Sequence, residues 1–425
     1  MMSKRLFSAL LIAVFALLAV SAVSAQDEVT IDWWHINTNE AEAAFYQGLA
    51  DQFMEEHPNV NIVITVLGNE EFKAQLTTVM QAGDPPDLFQ SWGGGVLWQF
   101  ADAGLVRDIA PELEGEWKDS FAATAALELY AQDGAYYGVP VTWGAVGVFY
   151  NKALFEQAGL DPENPPQTWE EFLAAVQTLK DAGITPISLG EGDKWPGHFW
   201  WVYNAIRIGG QDAFLAAYNR DGSFADEPFV QAGEYLQQLI DLEPFPEGYL
   251  GLNFDQEAGI MGNGEAAMEL MGQWAPAVQA AQSLSGEGIG EDLGWFPYPV
   301  IEGGAGNPDD VLGGGDGIAV GANAPDEAVE FLQLITSAET QRAASEIWVV
   351  PVVNGLDDVF EDNPVMQSIV EARNNASYFQ LYYDQFLPPA VGQAVNDAVE
   401  TLFAGVGTPE EAAQAIEDEA SFELE

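Results

Sequence analysis

Residues Tyr137–Gly159 read YGVPVTWGAVGVFYNKALFEQAG, and their reading decides the fold. A turn at Gly138-Val139-Pro140 leads into an apolar strand, which ends at Tyr150-Asn151-Lys152 and passes into a helix. Upstream, Val29-Thr30-Ile31-Asp32-Trp33-Trp34 alternates as a first strand. Asn39 and Glu42 form an N-x-x-E capping box, followed by Phe45, Leu49 and Phe53 on one helical face. His57-Pro58 stops that helix. Val60, Ile62, Ile64 and Val66 alternate in a second strand, 72–81 is helical, and Gly83-Asp84-Pro85-Pro86 breaks the helix. Asp87–Ser91 is a short strand feeding a glycine loop. Strands alternating with helices predict an α/β fold with a mostly parallel sheet.

Downstream, Thr168-Trp169-Glu170-Glu171 is a second capping box. The stretch 184–300 reads as mostly helical, except for a polar loop at Glu191–Gly197 and a proline-interrupted, strand-like segment at Trp295–Val300. Glu302–Gly317 is rich in glycine and aspartate. Pro325–Glu346 reads as a helical pair with Ser337 as the cap between them, and Trp348–Val352 as an apolar connection. Thr408-Pro409-Glu410-Glu411 opens a last helix with proline at its first position. There is no internal repeat.

The N-terminus reads as a secretory leader. Lys4 and Arg5 precede an apolar run, Leu6–Val20, and Val23-Ser24-Ala25 offers a cleavage site before Gln26. The run is shorter than the ~20 residues a membrane span needs. The mature chain is therefore expected to work outside the cytoplasm, in a periplasm or extracellularly. It has no cysteine, which excludes disulfides, thiolate metal sites and a lipid-modified cysteine anchor. His35, His57 and His198 are scattered, so neither a metal nor another cofactor is expected. About 400 residues exceed one core, and two lobes are expected. The formal net charge is −55, from 67 acidic and 12 basic residues, and loss of Lys4 and Arg5 makes it two units more negative. Such a chain repels nucleic acid and anionic membranes. It is compatible with salt adaptation or with ordinary acidic secretion.

With its neighbourhood, the opening stretch resembles the crossing between the lobes of extracellular solute-binding proteins, the sugar-binding family that includes maltose-binding protein. The resemblance runs from about Val29 to the C-terminus. It implies a type II periplasmic binding protein fold with three interlobe crossings and a ligand cleft between the lobes. Lobe 1 would comprise 26–143 and 312–351, and lobe 2 144–311 and 352–425. It further implies a monomeric, non-enzymatic receptor that delivers a carbohydrate, such as a short oligosaccharide, to the membrane permease of an ATP-binding-cassette importer. An extracellular glycoside hydrolase and a receptor for a polyamine or peptide are the alternatives.

A pyranose offers an apolar face to an aromatic ring and a rim of hydroxyls to Asp, Glu, Asn and Gln. Trp274, in Met271-Gly272-Gln273-Trp274-Ala275, follows an alternating run and ends in a loop, where a tryptophan has no core reason to sit; the family stacks a tryptophan of this motif on sugar. Trp92 and Gly93 open the Trp92-Gly93-Gly94-Gly95 loop, whose glycines permit close backbone approach. No G-K-S/T follows them, so a phosphate loop is excluded. The resemblance also implies ligand contacts from Asn37, Asn39 and Glu40, with His35 beside them, although capping alone accounts for Asn39. Asn69 and Glu70 follow the second strand. Lys194, Trp195 and His198 lie in the polar loop with Glu191 and Asp193, where an ion pair is an alternative role for Lys194. Trp143 sits at the first crossing. Gly315 and Asp316 sit at the second, as contacts or as hinge. Tyr382 or Tyr383, with Asp384, falls where the family presents an aromatic ring to its sugar.

Overall fold

The computed structural model describes residues 28–424. The expected leader at 1–25 lies outside the described residues. Among those described, no helix is long and apolar enough to cross a membrane.

Two sheets organise the chain. The first runs, in spatial order, Val60–Val66, Val29–His35, Leu88–Ser91, Gly317–Val320 and Gly138–Pro140. Its first three strands are parallel, and Gly317–Val320 is antiparallel to both neighbours. The second runs Leu293–Phe296, Gly147–Asn151, Ala266–Met271 and Thr185–Ile187. Helices flank both sheets, so the expected α/β class and two-lobe build hold. A third, small sheet joins Phe379–Leu381, Val311–Gly314 and Gly144–Ala145 where the chain passes from one large sheet to the other.

Local signals account for most elements. Asn39 accepts from the Glu42 amide at 2.9 Å and starts the helix Glu40–Glu56, without the reciprocal half of the expected box. Thr168 and Thr408 form complete capping boxes, the latter with Pro409 in the first turn. Ser337 caps Ala338–Ser345, the second helix of the expected pair. Asn151 ends the strand Gly147–Asn151 and caps Lys152–Ala158 through a bond from the Leu154 amide.

Three readings are corrected. Gly138–Pro140 is a strand rather than a turn: it lies at the sheet edge, where a missing proline N–H costs nothing. A side chain at Gly138 would meet the Ile318 carbonyl at 2.4 Å. The mostly helical reading of 184–300 missed Thr185–Ile187 and Ala266–Met271. All six residues of Ala266–Met271 are buried, because both faces are covered, so the strand lacks a one-sided burial pattern. The polar loop is only one 3-10 turn at Glu191–Asp193, after which the helix Trp195–Tyr218 begins with Pro196 in its first turn.

That helix carries Arg207, only 2% exposed. Its guanidinium donates to the carbonyls of Tyr298 (2.9 Å), Pro299 (3.2 Å), Asn307 (3.3 Å) and Asp310 (2.6 Å). It thereby holds the loop between the second sheet and Val311–Gly314. Arg207→Met leaves these buried carbonyls unpaired and should lower the unfolding free energy by roughly 3 kcal/mol. Urea denaturation measures this, and a loss below about 1 kcal/mol would show the loop to be held by other contacts.

Candidate functional site

A cavity of about 360 Å³ opens between the two sheets. The loops after Val29–His35 and Leu88–Ser91 line one side of it, and the start of Trp195–Tyr218 and the loop after Ala266–Met271 line the other. Trp92, Trp195, Trp274, Asn39, Asp316, Tyr382 and Asp384, all singled out from sequence, meet there, together with Asn37 and Asn69.

The rings form a continuous wall. Trp195 lies 5.0 Å from Phe254 and 6.4 Å from Trp274, ring centre to ring centre. Trp274 meets Tyr382 edge-on at 6.1 Å, and Tyr382 stacks on Phe199 at 5.1 Å. Trp274 is half-buried in the loop, whereas Tyr383 is fully buried against Phe214 at 4.8 Å. Of the two tyrosines Tyr382 lines the cavity, and its buried hydroxyl has no partner among the described residues.

Polar groups line the same cavity. The Asp316 carboxylate accepts from the Gln90 amide at 2.6 Å. Burial is the main cause that pushes its pKa up to about 6, against the lowering effect of bonds from Gln90 and Trp92. Glu42 is pushed up to about 7, again chiefly by burial, with the Asp316 charge adding to it. Lys73 supplies positive charge, its ammonium 5.6 Å from the centre of the Trp92 ring. With Asp255 and Asp384 also on the lining, carboxylates outnumber cations.

The other sequence candidates lie elsewhere. Glu40 is exposed; Glu42, two positions further round the same helix, faces the cavity instead. At Gly93, with φ +73°, a side chain would meet the Leu129 carbonyl at 2.8 Å, so its close approach is to protein backbone. At Gly315 it would meet the Thr142 carbonyl at 1.8 Å. Trp143 is buried and stacks on Phe379 at 4.4 Å. Lys194 pairs with Asp397 at 2.7 Å and Glu400 at 2.9 Å. His198 is wholly buried behind Asp384, at 3.8 Å, and burial lowers its pKa.

Glu42, Lys73, Phe199, Phe254, Asp255 and Gln385 line the cavity without having been singled out. Glu42 was read as a cap. Phe254 and Asp255 follow Asn253, whose capping box with Gln256 is legible in sequence.

A cleft between two α/β lobes, lined by both aromatic rings and hydrogen-bonding groups, defines a protein that encloses a small solute. The chain belongs to the bacterial extracellular solute-binding protein family, which it matches over residues 37–342. It is 26% identical over 381 residues to an uncharacterized ABC transporter extracellular-binding protein of Pyrococcus horikoshii, covering 87% of this chain and 82% of that one. It is 24% identical over 427 residues to a probable sugar-binding periplasmic protein of Rhizobium meliloti, covering 96% and 97%. A solved chain from work on xylan utilization by the thermophilic bacterium Caldanaerobius polysaccharolyticus superposes with a TM-score of 0.85 at 29% identity, covering 92% of this chain and 99% of that one.

Protonation of Asp316 removes a charge close to the Trp92 indole. Tryptophan emission should therefore titrate between about pH 6 and 7, as Asp316 and Glu42 change charge. The lower step should vanish in Asp316→Asn. Flat emission across this window in the wild type would mean that the cleft does not hold these acids away from water.

Proposed function

We propose that this protein captures a neutral carbohydrate outside the cytoplasm and presents it, without turnover, to the membrane permease of an ATP-binding-cassette importer. The observation that carries the reading is that the ring wall of Trp195, Trp274 and Tyr382 and the polar groups of Asp316, Asn39 and Asp384 line one cavity. Rings cover the apolar faces of a sugar, and carboxylates and amides take its hydroxyls. The cavity falls within the usual range for small-molecule sites, roughly 300–1,000 Å³. The names of the sugar-binding relatives point the same way. The protein acts as a monomer, with lobe boundaries near 143, 315 and 351. Pairing of Val311–Gly314 with Phe379–Leu381 and Gly144–Ala145 supports a second boundary a few residues after the expected 311–312.

Isothermal titration against a glycan panel, with product analysis, tests the reading. Binding without release of shorter sugars is expected, and no binding to any glycan overturns it. The excess of carboxylates favours one second reading, a polyamine receptor. Tight, salt-sensitive binding of spermidine with no glycan binding would establish that instead.

Trp274→Ala should weaken glycan binding by about 1–3 kcal/mol while cooperative unfolding is retained. Full affinity with broken folding would make Trp274 a core residue.

Ligand binding should also draw the lobes together, since neither lobe alone surrounds a sugar. Small-angle scattering should show a smaller radius of gyration at saturating ligand. An unchanged radius in a protein that starts open would indicate a rigid pocket.

A further inference from the structure

Behind the main cavity lies a smaller one of about 40 Å³. The two share Asn37, Glu42, Trp274 and Asp316 and so adjoin across these residues. At roughly 10–15 Å³ for each water-sized group, the rear compartment has room for about three such groups. Its lining is polar in an unusual way. Gln273 is 2% exposed, and neither its amide oxygen nor its amide nitrogen has a partner among the described residues. His35 is equally buried. Its Nδ1 accepts from the Asn37 amide at 3.3 Å, which leaves the proton on Nε2, also without a partner there. The Trp33 indole N–H, on the same lining, is a third unpartnered donor.

Buried polar atoms left unpaired cost on the order of 1–3 kcal/mol each, so several around one small space mark a place built for an occupant. Trp348, also on the lining, has a strained backbone. Its φ of +72° is rare for a bulky residue and persists only where the surroundings impose it.

We propose that this rear compartment is a subsite for the exocyclic hydroxymethyl group of a hexose, with Gln273 and His35 as its specificity-determining residues; the inference rests on the carbohydrate reading of the main cavity. A hydroxymethyl group has two heavy atoms and fits the space, whereas the four of an acetamido group exceed it. Its hydroxyl donates to the Gln273 carbonyl oxygen and accepts from the His35 Nε2–H or the Gln273 amide. A pentose, which lacks the group, leaves these atoms unpaired and loses affinity. A site built to bond a hydroxyl discriminates strongly against the analogue that lacks it.

The test is calorimetric titration of the full mature chain with pairs differing only in hydroxymethyl groups, by one in D-glucose against D-xylose and D-galactose against L-arabinose and by one per sugar unit in cellotriose against xylotriose. The expected result is a preference for the hexose member of about tenfold or more in the pair that binds. In Gln273→Met the preference should fall to within about threefold. His35→Phe, which removes the Nε2–H donor, serves if the methionine variant does not fold, with the same fall in preference expected. Equal affinity within every binding pair, or a preference untouched by both variants, overturns the subsite and shows that the compartment takes ordered water only, while the carbohydrate reading stands. Failure of every pair to bind, with glycan binding absent across the panel, overturns both.

Discussion

The Asp316 residue ties the molecule together. Its backbone carbonyl accepts from the amides of Val141 at 2.8 Å and Thr142 at 3.0 Å, joining the passage that leaves the first sheet to the one that returns to it. Its carboxylate, held by Gln90, projects into the cavity between the sheets. The third connection is bonded to the same place, with the Val350 amide donating to the Thr142 hydroxyl at 3.1 Å and the Trp143 amide to the Val350 carbonyl at 3.3 Å. The connections therefore lie side by side, bonded to one another next to the residue whose carboxylate lines the cavity. Gly315 is glycine because the Thr142 carbonyl leaves no room for a side chain there. Asp316 thus lines the cavity and bonds the two passages at once, whereas Gly315 is packed against the Thr142 backbone.

Charge is distributed in a way that matches this plan. An acidic surface keeps the chain soluble through self-repulsion and does not specify a fold. The few cations have definite structural work. Arg207 gathers backbone carbonyls, Lys194 bridges to Asp397 and Glu400, and Lys73 lies beside Trp92 at the cavity. Within the cleft, desolvation raises the pKa of Asp316 and Glu42. Both therefore change charge near neutrality, where a carboxyl alternates between acceptor and donor. The same rule acts away from the cleft. Glu269 and Glu257 are fully buried in the second lobe, and burial raises both, Glu269 to about 8. Protonation there is favoured by folding, so their contribution to stability is present in acid and lost as pH rises through the folded pKa.

Which parts were legible depended on whether the signal was local. Capping boxes at Thr168 and Thr408 and the cap at Ser337 were readable because an N-cap is decided by the residue and its next three neighbours. Alternation exposed the strands at Val29 and Val60, since each has one face less buried than the other. The same signal failed at Ala266–Met271, whose two faces are both covered. It failed at Lys194–His198 for another reason. Polarity suggested a loop, while Pro196 was the better marker of a helix beginning, and that helix sends His198 inward and Trp195 toward the cavity.

By itself the sequence determined the α/β class, the need for two lobes, and the aromatic and acidic residue types from which a sugar-like site can be assembled. These follow from periodicity, chain length and side-chain chemistry, all of which are properties of short segments or of the whole composition. The tertiary structure alone decided which residues face the cavity. Trp143 and Trp274 both looked available in their loops, yet Trp143 packs against Phe379 and Trp274 stands in the cavity wall. Glu40 and Glu42 are nearly adjacent on one helix, yet one faces solvent and the other the cavity. Direction into a cleft is set by the packing of segments hundreds of positions apart, such as Gln90 against Asp316, and no local pattern encodes it.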